Sequence, residues 1–305
     1  GSSPDTLLGI AISADASTGT QGTWEFSINS GSNWAALSTT SFDAATPLFL
    51  AAGNMLRFVP AANQNGSVGD LTYYVVDNGA ASGSLTGGST FTYAAATDIS
   101  TASYTIGTSI TAANDAPTGA DVTASTIVED LAEASNSGQT VSALFGGSYS
   151  DTADDQTSNT NGSSADAFAG VGVVADSSSS LGDWEFSLNS GTDWATVSSL
   201  SPTSTTPLFL GTTAMLRFNP AANVNGDFST LTVHYIDGTG SIGSTTSGAL
   251  SSDITGALDV SAATYTASIS VSDVHDEPTS ANETLTAVVE DNSTPSGSTI
   301  TSLID

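Results

Sequence analysis

Gly22-Thr-Trp-Glu-Phe-Ser-Ile-Asn-Ser-Gly-Ser-Asn-Trp34 returns almost unchanged as Gly182-Asp-Trp-Glu-Phe-Ser-Leu-Asn-Ser-Gly-Thr-Asp-Trp194, at a spacing of 160 residues. In both copies Trp, Phe and an aliphatic residue alternate with Glu, Ser and Asn, the period-two pattern of a half-buried strand. Asn-Ser-Gly then supplies residues that tolerate the backbone of a tight turn. The stretch reads as a β-hairpin that anchors a repeated module.

Working outward, the repetition extends over the chain. Leu7–Asp15 alternates as Phe168–Asp176 does, Pro47-Leu-Phe-Leu50 returns as Pro207-Leu-Phe-Leu210, and Met55-Leu-Arg-Phe58 as Met215-Leu-Arg-Phe218. Asn65-Gly66 and Asn225-Gly226 mark turns, after which Leu71–Asp77 corresponds to Leu231–Asp237. Tyr104–Ile110 then matches Tyr265–Val271 at a spacing of 161. Proline ends strands and stiffens an exit, so Asn114-Asp-Ala-Pro117 and Asp276-Glu-Pro278 are read as module boundaries. The expected organisation is a first module over 1–116, lacking its opening strands, a second over 117–277, and the opening strands of a third over 278–305. In that last stretch Val289-Glu-Asp291 repeats Val128-Glu-Asp130, and Ile300–Ile304 repeats Val141–Phe145. It reads either as part of a longer array or as a donor segment that completes a neighbouring chain.

Short alternating strands punctuated by turns, without helical periodicity, predict an all-β chain of tandem β-sandwich modules of Ig-like type. A period of about 160 residues is too long for a solenoid repeat or propeller blade. Glu25 and Arg57 each point away from apolar neighbours in their strands, as do Glu185 and Arg217, which predicts one Glu–Arg pair per module across a sheet face.

Lys+Arg number 2 against 31 Asp+Glu, for a net charge of -29. Such a surface disfavours nucleic acid and anionic membrane, both of which are held by Lys and Arg. No apolar run is long enough for a spanning helix, so no membrane insertion is expected. With no Cys and no Lys, neither disulfides nor lysine crosslinks staple the fold, and divalent cations are the natural counterions.

The candidate ligands sit at strand ends and linkers: Glu129, Asp130, Asp151, Asp154, Asp155, Asp77, Asn114 and Asp115, with Glu290, Asp291, Asp237 and Asp276 at matching places. An all-oxygen set favours calcium, which takes six to eight oxygens. Catalytic signatures are weak by comparison. Gly238-Thr-Gly-Ser-Ile-Gly243 spells a dinucleotide fingerprint but precedes no helix, and His234 and His275 stand where the other copy has Tyr74 and Asn114. No enzymatic activity is expected.

Ser27, Asn29, Gly31 and Trp34, and again Ser187, Asn189, Gly191 and Trp194, resemble the Asp-box hairpin, a folding device found in proteins of unrelated function. Together with Leu-Arg-Phe-x-Pro-Ala-Ala-Asn-x-Asn-Gly, Asn-Asp-Ala-Pro and Ser-Asp-x-x-Asp-Asp, the chain resembles the cadherin-like, Ig-like tandem repeats of large bacterial surface adhesins of RTX type. That resemblance implies an extracellular stalk or filament on a bacterial cell surface, stiffened by calcium between modules. It implies Glu129, Asp151, Asn114 and Asp115 as ligands at the first junction, and Glu290 and Asp276 at the second. The expected partners are neighbouring modules or copies of the chain end to end. Other readings are a glycan- or protein-binding module, a filament subunit joined by strand complementation, or a non-catalytic repeat region of a larger secreted enzyme.

Overall fold

A computed structural model describes residues 6–79, 85–92, 98–177, 180–238, 246–251, 254, 257–278 and 282–304. The described residues form mostly antiparallel sheets with a few short helical turns. The first part contains β1 (Leu7–Asp15), β2 (Gly22–Ser27), β3 (Ala35–Ala36), β4 (Leu48–Ala51), β5 (Met55–Pro60), β6 (Gly66–Ser67), β7 (Leu71–Asp77), β8 (Ser89–Thr90), β9 (Tyr104–Ile106) and β10 (Ser109–Ile110). A connecting stretch holds β11 (Val122–Thr123), β12 (Ile127–Val128), β13 (Gln139–Thr140) and α1 (Val141–Phe145). There follow β14 (Phe168–Asp176), β15 (Gly182–Ser187), β16 (Ala195–Thr196), β17 (Leu208–Gly211), β18 (Met215–Pro220), β19 (Gly226–Asp237), β20 (Tyr265–Ser272) and α2 (Ile300–Ile304).

Two pairs of facing sheets result. In the first, a sheet of order β8-β4-β1-β7-β9 packs on β3-β2-β5; in the second, β11-β20-β19-β14-β17 packs on β13-β18-β15-β16. Pairing registers repeat with the sequence: Ile12 lies opposite Leu48 and Tyr73, as Val173 lies opposite Leu208 and Val233. Trp24 and Phe26 from one sheet meet Ile12, Leu50 and Leu71 from the other, and Trp184, Phe186 and Phe218 meet Val173, Leu210 and Leu231. The larger sheets are covered on their outer faces as well. Phe49, Val76 and Ile99 form one outer cluster, and Phe209, Ile236 and Val260 its counterpart. This explains why Leu48-Phe49-Leu50 is a continuous apolar run rather than an alternating one: a strand buried on both faces needs apolar residues at every position.

The hairpin turns share one hydrogen-bond set in the two copies. Ser27 Oγ accepts the Gly31 N–H at 2.9 Å, Asn29 Oδ1 accepts the Asn33 N–H at 2.8 Å, and the Trp34 indole donates to the Gly31 carbonyl at 3.1 Å. Ser187, Asn189, Gly191, Asp193 and Trp194 repeat this set. Ser30 and Gly31 hold positive φ of 57° and 85°, which the short polar residue and the glycine accept at low cost.

Both Glu–Arg pairs form across neighbouring strands, each at 2.6 Å. Their settings differ. The Arg57 side chain is 46% exposed, whereas that of Arg217 is 3% exposed and also binds Glu133 and the carbonyls of Glu133 and Asn136. Each guanidinium stacks on the hairpin Trp, at 4.0 Å from the Trp34 ring centre and 4.2 Å from that of Trp194.

Two departures from the sequence expectations concern local structure. Val141–Phe145 forms a helical turn, because the Thr140 hydroxyl caps the Ala143 N–H and Val141 and Phe145 can both point into the core. The matching strands over 104–110 and 265–271 also differ: the second is continuous in β20, which is flanked on both sides, while the first is split into β9 and β10.

Candidate metal centre

The loop between β13–α1 and β14 carries Asp151, Asp154 and Asp166, whose carboxylate oxygens lie within 4.8 Å of one another. Thr118 and Ser150 bridge in both directions, tying the start of the loop to the linker that leaves the first sheet pair. A tight turn follows, and the Asp115 N–H donates to Asp154 Oδ2 at 3.0 Å. The Asp166 N–H donates to Asp151 Oδ2 at 2.6 Å. Asp151 Oδ1 remains buried with no hydrogen-bond partner in a residue only 5% exposed.

Leaving a carboxylate oxygen in that state is costly. Burial raises the Asp151 carboxyl from its ordinary value to about 6, reinforced by Asp154, Asp166 and Asp237 and opposed by the Asp166 amide. Tyr149 is pushed up as well, first by burial and then by Asp151, so its hydroxyl stays a donor to the Asp166 carbonyl at 2.9 Å. A largely buried, oxygen-only cluster with an unsatisfied oxygen suits a hard divalent cation, which would lower the Asp151 carboxyl by direct attraction.

The cluster lies at the boundary of the two sheet pairs. Asn65 exchanges two hydrogen bonds with Ser163, at 2.7 and 2.8 Å, and the Ser163 hydroxyl donates to the Asp154 carbonyl at 2.6 Å. The Ser67 N–H donates to the Thr160 carbonyl at 2.8 Å, beside Gly66 at φ 97°. A Cβ on Gly66 would stand 2.7 Å from that carbonyl oxygen, so the loop can approach only a glycine.

The sequence candidates separate into distinct places. Asp151 and Asp154 are brought together, Asp115 contributes its backbone, and Asn114 donates to the Leu258 carbonyl at 2.9 Å. Asp155 turns outward and binds Thr157, which lowers its carboxyl. Asp77 accepts the Gly79 N–H, and its counterpart Asp237 is fully buried. Glu129, expected at the first junction with Asp151, lies elsewhere. It touches Asn225 at the start of β19, whereas Asp237, which acts on Asp151, ends that strand, and 12 residues at about 3.3 Å each separate the two. There Glu129 accepts from Val274 and Asn225, which hold its carboxyl below the ordinary value. Asp130 accepts the Asn223 N–H at 3.3 Å; Asp276, Glu290 and Asp291 are exposed.

Asp166 escaped the sequence reading because it stands alone in a Ser- and Ala-rich stretch with no motif around it. His234 Nδ1 lies 2.7 Å from the Ser261 carbonyl, and Gly238–Gly243 falls largely outside the described residues. No helix among the described residues is long and apolar enough to cross a membrane. No family model, curated protein or solved structure matches this chain.

Proposed function

We propose that this chain is a segment of an extracellular stalk or filament of a bacterial surface, built from tandem Ig-like, cadherin-like β-sandwich modules of about 160 residues and stiffened by calcium. The observation that carries this reading is the position of the Asp151–Asp154–Asp166 cluster at the contact between the two sheet pairs, next to the Asn65–Ser163 exchange. A cation there neutralises buried like charges and fixes the loop that touches the first module, so binding and inter-module rigidity are one event. The net charge of -29 makes such neutralisation worth more, because self-repulsion opposes any compact arrangement. The role is structural rather than catalytic. Stacking of a sugar on Trp34 or Trp194 is the less favoured reading, since an arginine already covers one face of each ring.

The test is thermal unfolding and small-angle scattering of the protein with calcium, with EDTA, and with EDTA plus concentrated sodium chloride. Calcium is expected to raise the unfolding midpoint and narrow the distribution of inter-module orientations. Full rescue of both properties by sodium chloride would overturn the reading, because screening alone would then suffice.

A further inference from the structure

The second sheet pair contains a cleft of about 290 Å³ at the edge bordered by β12 and β13. Ala124, Trp184, Leu216, Phe218 and Ile269 form its inner wall, and each is more than nine-tenths buried. Close-packed interiors rarely leave a void of this size. A wall of carbon offers water too few partners to hold it there. The outer side is lined by a strap over 131–138 that crosses from the end of β12 to the start of β13.

Polar bonds rather than burial hold that strap. Ala132, Glu133, Ala134, Ser135 and Ser137 are exposed, and only Asn136 is buried. Arg217 Nη1 donates to the carbonyls of Glu133 and Asn136 at 3.2 and 3.1 Å, and its Nη2 donates to Glu133 Oε1 at 2.7 Å. Asn136 Nδ2 donates to the Phe218 carbonyl at 2.7 Å. Left-handed residues stand at both ends, Asp130 at φ 56° and Gly138 at φ 68°. A groove of about 530 Å³ lies on the other side, between the strap and the Trp194 hairpin. A segment with so little apolar contact and with space on both sides opens more easily than the strands beneath it.

We propose that the cleft binds one neutral, mostly apolar small molecule, admitted by movement of the strap. Charge sets the first limit. Arg217 is the one ionisable residue among those lining the cleft, and Glu133 and Glu185 already pair with it. An ionised ligand would therefore be desolvated without a counterion. Size sets the second, since a dry apolar cavity of about 150 Å³ takes up benzene, and this cleft has room for two fused rings. One polar group on the ligand can reach the hydroxyls of Ser125 and Ser137, which also line the cleft. The site shares no residue with the Asp151–Asp154–Asp166 cluster, so it stands apart from the structural role proposed above.

Indole, a neutral pair of fused rings with a single N–H, is the probe, and indole-carboxylate is its charged counterpart. Calorimetric titration of the full chain in EDTA is expected to show one indole per chain with a negative heat-capacity change, and indole-carboxylate weaker by about tenfold or more. Methyl resonances of Ile127, Leu144 and Ile269 should shift with indole, which locates it in the unaltered protein. Leu131→Trp places a ring in the cleft and should abolish those shifts, while Glu133→Ala removes one bond of the strap and should speed indole exchange several-fold. Absence of saturable indole binding, or methyl shifts confined to other residues, would overturn the site. Equal affinity for indole-carboxylate would overturn the neutral class, and unchanged exchange in Glu133→Ala would overturn the strap as its gate.

Discussion

Replacing Asp151 by Asn removes the carboxylate whose second oxygen is buried without a partner. An Asp with an ordinary value of 3.8 that titrates at about 6 in the fold holds its proton more tightly there by roughly 3 kcal/mol, at 1.36 kcal/mol per pH unit. Because the folded value is raised, the native state binds more protons than the unfolded chain between about pH 4 and pH 6, and metal-free stability falls as pH rises through that window. Above it the full cost is present. In EDTA at about pH 7.5, Asp151→Asn is therefore expected to be up to about 3 kcal/mol more stable than wild type, a gain that shrinks towards pH 4. The amide keeps the bond from the Asp166 N–H and offers its own N–H to the neighbouring carboxylates. With calcium the order reverses: wild type gains stability as RT ln(1 + [L]/Kd), about 2.7 kcal/mol at a hundredfold excess over Kd, and the variant gains far less. Urea unfolding followed by tryptophan fluorescence at both pH values, with and without calcium, reads all four states. A variant no more stable than wild type in EDTA near neutral pH would refute the account of Asp151 as a charge held at a cost until a cation arrives.

The two Glu–Arg pairs provide a matched comparison. Arg217→Met should destabilise the second sheet pair by about 3–5 kcal/mol, because it strands Glu185 and two carbonyls in a buried setting, while Arg57→Met should cost less than about 1 kcal/mol; urea midpoints of the two variants decide it. Gly66→Ala should cost about 1–3 kcal/mol through backbone strain and the encounter with Thr160, seen as faster hydrogen exchange at Ser67 while the hairpin amides around Gly31 stay protected. Glu129→Gln should lower stability at neutral pH, with the deficit closing as pH falls through the depressed carboxyl value, because a depressed group stabilises only when ionised; a deficit that persists in acid would show a packing role instead.

The hairpins, the repeated strands and the Glu–Arg contacts were legible in the sequence because each rests on local alternation or on a turn whose residues carry their own geometry. Trp24, Phe26 and the Asn29–Gly31 turn needed no tertiary information. The site was less legible. Asp151 and Asp154 lie close in sequence, but Asp166 joins them only because the loop folds back, and nothing in Ala165-Asp166-Ala167 marks it. Glu129 was grouped with Asp151 through the family resemblance, which carries no register, whereas β11 and β12 run parallel to β20 and bring Glu129 to Val274 and Asn225 at the far end. Burial was also hidden. Arg57 and Arg217 occupy the same repeat position, and only the Glu133–Asn136 turn, contributed from outside the repeated strands, separates their environments.

The parallel pairing of β11 and β12 with β20 bears on how a tethered chain would carry load. β11 and β12 are the entry to the second sheet pair and β20 is its exit, and they lie side by side pointing the same way. Tension applied along the polypeptide therefore draws the two strands past each other along their length, so the hydrogen bonds between them are stressed together in shear rather than peeled one by one. Rupture must break them collectively, which raises the force a module withstands without requiring any increase in its equilibrium stability.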